Sequence, residues 1–396
     1  MSRNRMIFLA ASIAVVFLVF NPFSRGGATI KGVDQKTQLA LYARIVEGYE
    51  APETYVASLF DDHDIVLIGE QQNLANQVDF VKSLIPVLDA RGVKSLGIEY
   101  ANAHDQATID AVLTASEYDA EAVNRILFRY LVLWGFQEYA DLFYEAWKVN
   151  AAHEAGEKPF RILGLNIERN WSAIQHKEDL DKPEARRAVI AAGLPDQVMA
   201  QTLSSEVIAK GEQAAVLCSL QSSFTNFQFK GYVENAKKQG LPSTLRLGNF
   251  LYEEIGSRAC TVFLHGPWHD ERAKYGIDYP FSGAIDKLIR TLPEDKQRFG
   301  LTVEGTPFAG LKVTGSFSVG YSNLTLGDMA QGYVVLGPLK NYVPVKPIPG
   351  FINEGNIAEA LANFPGPDPG NIGPDELNQY IASIPDDYLR ILDTLK

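Results

Sequence analysis

The chain lacks the residues and motifs that mark several common classes of protein. Its 396 residues include two cysteines, Cys218 and Cys260, which lie too far apart for a zinc ribbon. It contains no Gly-x-Gly-x-x-Gly, no phosphate-binding loop and no Gly-x-Ser-x-Gly elbow, which excludes the usual nucleotide-binding and serine-hydrolase signatures. Cys218 is predicted on a helix and Cys260 at the start of a strand, so a disulfide and two buried free thiols both remain open.

Positive charge is also scarce. The formal net charge is −12 and the sequence pI is about 5.1, with no cluster of Lys and Arg. Nucleic-acid binding is therefore excluded, because nothing would neutralise the phosphates. The 46% hydrophobic and 21% charged fractions are typical of a folded globular protein. We expect a small-molecule ligand.

The sequence has one long apolar run, residues 6–20, preceded by Arg3 and Arg5. A positive segment followed by such a run resembles a secretory signal, whereas a full membrane span needs roughly 20 apolar residues. A cleaved signal peptide and an uncleaved anchor over residues 1–28 stay open. Both predict an extracytoplasmic protein, periplasmic or secreted, whose membrane contact comes only through this segment.

Short apolar runs alternate with long helical patterns along the rest of the chain. Four of the runs end in polar residues, at 65–72, 95–100, 161–169 and 260–270. This alternation predicts an α/β fold with a mainly parallel or mixed central sheet flanked by helices. The predicted domain spans 35–345, with a helical insertion over about 182–240. A Pro/Gly-rich linker and a C-terminal helix follow over 346–396.

The polar residues at the strand ends form the candidate site, because ligands of such sheets bind beyond the carboxyl ends of the strands. Glu70 and Glu99 end the first two predicted strands, which we expect to be neighbours. Two carboxylates side by side need a metal, a proton or an arginine between them. Arg169, after the third strand, is a candidate for that arginine, so a purely structural Glu–Arg network is the alternative.

Two histidines follow the fourth strand. His265 and His269 flank Gly266-Pro267-Trp268, and histidine is the usual acid/base group or metal ligand. Pro267 predicts a turn, so we expect one histidine to face the site and the other to form structural hydrogen bonds. The aromatic residues of 128–147 recur at helical spacing and indicate core packing, although one or two are candidates to line a cavity.

These motifs together resemble the superfamily that unites ChaN-like haem-binding proteins, erythromycin-esterase-like proteins and Tiki/TraB proteins. The resemblance runs from about Asp62 to Leu339. Its landmarks are VLIGEQQ (66–72), GIEY (97–100), LWGFQEYADLFYEAW (133–147), GLNIER (164–169), FLHGPWH (263–269) and GYVVLGP (332–338).

The resemblance assigns roles to individual residues of the motifs. Glu70, Glu99 and His269 are the predicted catalytic residues. The predicted substrate-binding residues are Gln72, Tyr100, Asn166, Arg169, His265 and Trp268. Gln72 departs from the pattern, because the family usually has histidine there and glutamine cannot shuttle a proton.

The resemblance leaves three functions open. The first is hydrolysis of an ester or amide bond, in which Glu70 or Glu99 assists His269 in activating water while Arg169 and Asn166 hold the substrate. The second is binding of haem or another planar apolar ligand, with a tyrosine or histidine on the iron. The third is a catalytically inactive scaffold. Haem and a divalent metal are the candidate cofactors, and no metal ligand is assigned.

Overall fold

The computed structural model describes residues 30–269, 277–367, 369–370 and 372–394. Its strands are Ile65–Glu70 (β1), Ser95–Asn102 (β2), Arg161–Asn166 (β3), Ala214–Ser219 (β4), Ala259–Leu264 (β5), Trp268–His269 (β6), Ile277–Asp278 (β7), Phe299–Thr302 (β8) and Gly332–Val335 (β9).

Thirteen α-helices lie in the same described residues. They are Gln35–Glu47 (α1), Pro52–Ser58 (α2), Ala75–Arg91 (α3), Gln106–Thr114 (α4), Ala120–Tyr130 (α5), Gln137–Ala151 (α6), Pro183–Val189 (α7), Pro195–Glu206 (α8), Lys230–Lys238 (α9), Leu247–Ile255 (α10), Ala284–Ile289 (α11), Ile357–Ala362 (α12) and Pro374–Thr394 (α13).

The main sheet has the strand order β3-β2-β4-β1-β5-β9-β8. All neighbouring strands are parallel except β8, which pairs antiparallel with β9 at one edge. The predicted α/β fold with a mainly parallel or mixed sheet is therefore confirmed. Because β1 to β5 run in the same direction, their carboxyl ends meet along one edge of the sheet.

The predicted helical insertion over about 182–240 is wrong at β4, where the chain forms a strand. Ala214–Ser219 forms a buried strand between β1 and β2, because its short apolar run is covered by helices on both faces. Consequently β1 and β2 are not neighbours, and Cys218 lies on a strand. Cys218 and Cys260 are both buried free thiols, on strands that flank β1 on opposite sides.

Alternate side chains of the strands face different helices, as the pleat of a strand requires. Val66 and Ile68 of β1 belong to the large core that includes residues of α3, α5 and α6. Ile65 and Leu67 belong to a separate core with residues of α8 and α10. The sheet is therefore covered on both faces, and a residue's position in its strand decides which helices its side chain meets.

Residues 343–348, here called the strap, connect distant parts of the chain near the carboxyl edge. The backbone N–H of Ala75 donates to the carbonyl of Val343 (2.9 Å), and that of Val345 donates to the carbonyl of Asn73 (3.1 Å). On the other side, Gln137 donates to Lys346 (2.8 Å) and Ile348 donates to Gly135 (2.8 Å). Prolines occupy positions 344 and 347, where these bonds need no N–H. The strap thus fixes the starts of α3 and α6 relative to each other.

Gly135 packs beneath the strap and leaves no room for a larger residue. A Cβ atom at this position would overlap the ring of Phe351, so Gly135→Ala should lower the free energy of unfolding by about 1–3 kcal/mol. Urea unfolding monitored by circular dichroism measures this change. The matched control is Gly310→Ala, where a Cβ meets open space. Equal stability of the two variants would contradict the assigned packing.

The chain after the strap returns to the core. In α13, Leu377 and Ile381 are buried, and the helix includes Pro385. Among the described residues no helix is long and apolar enough to span a membrane. The predicted signal or anchor over 1–28 lies outside these residues.

Candidate functional site

The ends of the parallel strands bring several of the predicted site residues to one edge of the sheet. Glu70 of β1 lies beside Ser219 of β4, and Asn102 of β2 lies beside Asn166 of β3. Glu99 and Tyr100 precede Asn102 by three and two positions on β2. The geometric expectation that these residues share an edge therefore holds for Glu70, Glu99, Tyr100 and Asn166.

Glu70 is buried among phenol groups. Its side chain is 1% exposed, and the hydroxyl of Tyr139 donates a hydrogen bond to Oε1 at 3.0 Å. The other oxygen, Oε2, is buried without a hydrogen-bond partner. Burial is the main cause that raises the pKa of Glu70 to about 8, while the hydroxyls of Tyr100 and Tyr139 act in the opposite direction. Glu70 is thus mostly protonated at neutral pH.

Tyr139 is held in place by the loop that follows β1. The backbone N–H of Asn73 donates to the Tyr139 hydroxyl, and Asn73 has a φ of 69°, a left-handed conformation that only a few non-glycine residues adopt. Its carbonyl accepts the bond from Val345 of the strap. Because the Tyr139 oxygen accepts from Asn73, its own proton is available to Glu70.

Four aromatic rings surround this carboxyl group and pack against one another. Tyr100 stacks on Trp134 with ring centroids 4.7 Å apart, and Tyr139 and Tyr130 lie 4.9 and 5.9 Å from Tyr100. Packing therefore explains most of the aromatic residues of this region, as the sequence indicated. From the sequence, Tyr139 was one of the aromatic residues attributed to packing, because helical spacing does not show whether a hydroxyl reaches a carboxyl group.

Tyr100 itself is fully buried, with the Nε2 of Gln72 3.4 Å from its hydroxyl. Its place in the aromatic cluster leaves no open face for iron. Gln72 follows β1, is half-buried and contacts this phenol.

Glu99 lies on the opposite face of the sheet from Glu70. Its Oε2 accepts the backbone N–H of Ser219 at 2.8 Å. Burial raises its pKa, and the charges of Arg246 and Arg169 oppose this increase. The two carboxyl groups therefore lie on opposite faces of the sheet.

Arg246 anchors a buried ionic cluster on the Glu99 side. Its Nε donates to Asp196 Oδ1 at 3.0 Å, and its Nη2 donates to the hydroxyl of Ser222. Asp196 also accepts the backbone N–H of Leu247 at 2.9 Å. Sequence reasoning missed both charged residues, since they precede or begin helices. The available signal was their position at the start of a helix with apolar residues, since Asp196 lies in the first turn of α8 and Arg246 directly precedes α10.

Asn166 and Arg169 link β3 to the rest of the edge. Asn166 donates through Nδ2 to the carbonyl of Glu99 at 2.9 Å, and its Oδ1 accepts from Arg169 Nη2 at 3.3 Å. The guanidinium carbon of Arg169 lies 5.5 Å from the centre of the Tyr130 ring. Arg169 therefore lies at the margin of both carboxyl environments and is half-buried.

His265 and Trp268 follow β5 and have contacts other than Glu70. The ring of His265 is fully buried between the Tyr333 hydroxyl (2.9 Å from Nδ1) and Asp286 Oδ1 (3.3 Å from Nε2). Trp268 packs on Phe281 with ring centroids 4.7 Å apart. These contacts give His265 structural hydrogen bonds, and the role of both residues in substrate binding stays a prediction.

His269 ends the short strand β6, and its side chain lies outside the described part of the structure, so its catalytic role stays a prediction. No group of three or more His, Cys, Asp or Glu side chains that could hold a metal ion occurs among the described residues. The candidate metal and haem sites likewise stay predictions.

Comparison with known proteins gives similarity of fold. No protein-family model and no curated protein matches the chain. The structure resembles that of a succinoglycan biosynthesis protein with a TM-score of 0.53 and 11% identity, covering 79% of this chain and 99% of that one. This similarity supports the α/β fold alone.

Lower-scoring matches include two proteins whose names occur in the resemblance drawn from the motifs. The erythromycin esterase EreC matches with a TM-score of 0.45 and 12% identity over 70% of this chain and 91% of that one. ChaN of Campylobacter jejuni, bound to haem, matches with 0.34 and 13% over 56% and 89%. As the motifs predicted, solved structures of a ChaN protein and of an erythromycin esterase are among those that match.

Proposed function

We propose that the protein is an extracytoplasmic hydrolase that cleaves an ester or amide bond of a small molecule. The observation that carries this proposal is the environment of Glu70, a buried carboxyl group that accepts a hydrogen bond from Tyr139, lies beside the hydroxyl of Tyr100 and has a pKa of about 8. A general base is most effective when its pKa lies near the working pH. Perturbed carboxyl groups of this kind concentrate at functional sites.

The reaction would use Glu70 first as a base and then as an acid. Its carboxylate takes a proton from a water molecule while the water oxygen attacks the carbonyl carbon of the substrate. The tetrahedral intermediate then collapses, the bond to the alcohol or amine breaks, and the leaving group takes the proton from Glu70. Tyr139 stabilises the carboxylate form, because its hydroxyl donates to Oε1.

Asn166 and Arg169 would stabilise the negative charge that develops on the carbonyl oxygen. Both lie at the carboxyl edge, and both offer N–H donors fixed by contacts within the protein. Glu99 would hold this pair in place through its backbone carbonyl. In the alternative that the motifs predict, His269 takes the proton from the water and Glu70 or Glu99 assists it.

The proposal predicts a rate that rises with pH. At pH 7 roughly a tenth of Glu70 is ionised for a pKa of about 8, so kcat/KM should increase nearly tenfold per pH unit below 8 and level off above it. Glu70→Gln should lower kcat/KM by about 100-fold or more. The assay measures hydrolysis of a panel of 4-nitrophenyl esters and anilides by the purified full chain.

Glu117→Gln removes an exposed carboxylate and is the matched control, with unchanged rates expected. Full activity of Glu70→Gln would contradict the role of Glu70. Absence of hydrolysis across the panel would favour the two remaining hypotheses, and these are separated by titrating the protein with haemin. A Soret band indicates haem binding, whereas an unchanged spectrum indicates an inactive scaffold.

A further inference from the structure

We infer that the substrate of this enzyme carries an anionic oxygen group, a carboxylate or a phosphate, and that Arg169 binds it at the carboxyl edge of the sheet. The inference rests on the proposed function, since it names the substrate class of the same site. Arg169 then has two roles. It binds the charged group of the substrate, and it stabilises the negative charge at the reacting carbonyl.

Arg169 is a cation without an anionic partner in its described surroundings. Its Nη2 contacts the amide oxygen of Asn166 at 3.3 Å, and its guanidinium lies 5.5 Å from the centre of the Tyr130 ring. Within the part of the chain that the structure describes, no carboxylate lies within ion-pair distance of it. An amide and an aromatic face orient a guanidinium, but neither neutralises its charge.

The acidic neighbours of Arg169 are engaged elsewhere. Glu168, the preceding residue, is 65% exposed and lies nearest to His104, with 3.9 Å between Oε2 and Nε2. Asp105 pairs with Arg129 at 2.8 Å. Glu99 is close enough for the charge of Arg169 to lower its pKa, but its Oε2 is bonded to the backbone N–H of Ser219 at 2.8 Å.

Arg246 provides the contrast. It lies near the same Glu99, but it is buried, and Asp196 pairs with it at 3.0 Å. Its charge is therefore neutralised within the protein. Of these two arginines, Arg169 is half-buried and retains N–H groups for a ligand.

The guanidinium group of Arg169 has a shape that can bind a small anion. The guanidinium presents parallel N–H groups that match the two oxygens of a carboxylate or phosphate. In a chain with a net charge of −12, a positive group at this edge selects for ligands of the opposite charge.

The test compares two esters of similar size, 4-nitrophenyl butyrate and 4-nitrophenyl hydrogen succinate, with the purified full chain. We expect the charged ester to have the larger kcat/KM. Arg169→Gln should lower kcat/KM on both esters, because Arg169 also stabilises the charge at the reacting carbonyl, but the charged ester should lose about 10- to 100-fold more, so that the preference disappears; Arg169→Lys should restore part of it. Arg161→Gln is the matched control, because Arg161 begins β3 and so lies at the opposite end of the strand that leads to Arg169.

Isothermal titration with succinate and with inorganic phosphate tests the site without turnover. Binding that Arg169→Gln abolishes and Arg161→Gln preserves supports the inference, and the anion that binds names the chemical group. Equal kcat/KM for the two esters in the wild type overturns the inference and leaves the hydrolase standing. Arg169-dependent anion binding without hydrolysis of either ester overturns the hydrolase and keeps the anion site. Absence of binding of both anions overturns the site.

Discussion

Replacing Glu70 by Gln should stabilise the protein at pH 8 by about 4 kcal/mol. The folded pKa of about 8 exceeds the ordinary value of 4.5, so the folded state keeps a proton that the unfolded chain releases between these two values. The stability that Glu70 contributes is therefore fully present below pH 4.5 and is lost as the pH rises through 8. Glutamine stays neutral over this whole range and avoids the loss.

Urea unfolding of wild type and Glu70→Gln at pH 5, 6, 7 and 8 measures this effect. The difference between the two proteins should be small at pH 5 and should grow with each step. Glu117→Gln, which neutralises an exposed carboxylate, should stay within about 0.5 kcal/mol of wild type throughout. A constant difference between Glu70→Gln and wild type at all four pH values would show that Glu70 does not hold its proton in the folded state.

Replacing Arg246 by Met should destabilise the protein by about 3–5 kcal/mol. The substitution leaves the carboxylate of Asp196 buried without its cation, and Asp196 keeps only the N–H of Leu247 as a described hydrogen-bond donor. The loss also removes one of the two arginine charges that oppose the raised pKa of Glu99. Glu99 should therefore become harder to ionise in this variant.

The double variant Asp196→Asn with Arg246→Met removes both charges and should recover most of the lost stability, because no isolated buried ion remains. Arg298→Met is the control. Arg298 pairs with Glu53 at 2.8 Å on the surface, where its side chain is 54% exposed, so its loss should cost less than about 1 kcal/mol. Urea unfolding at pH 7 compares the three variants. Equal effects of Arg246→Met and Arg298→Met would contradict the buried pair.

The sequence predicted the strands that end in chemically active residues and the edge where they meet. Glu70, Glu99 and Asn166 were found because each follows a β-branched, apolar run, and parallel strands deliver such ends to one side. The strand Ala214–Ser219 was missed because it is short and lies between polar helices. Without this strand, β1 and β2 were expected to be neighbours, whereas β4 lies between them.

The partners of the carboxyl groups could not be predicted from the sequence. Whether Glu70 and Glu99 share a face depends on the register of β1 and β2 through β4, which no local pattern encodes. Tyr139 and Arg246 reach the carboxyl groups from helices 40 or more positions away, and their spacing fits ordinary packing equally well. Contacts of this kind are set by tertiary structure, so only the assembled fold identifies them.

The strap has a consequence for the order in which the chain can mature. It joins residues 73–75 and 135–138 to a segment more than 200 positions later, so a ribosome must synthesise nearly the whole polypeptide before the loop that orients Tyr139 is secured. Nascent fragments that end before residue 348 would expose the unpaired starts of α3 and α6. Contacts between residues so far apart in the chain form late in folding. Tyr139, the proton donor to Glu70, would therefore reach its final position in one of the last steps of folding.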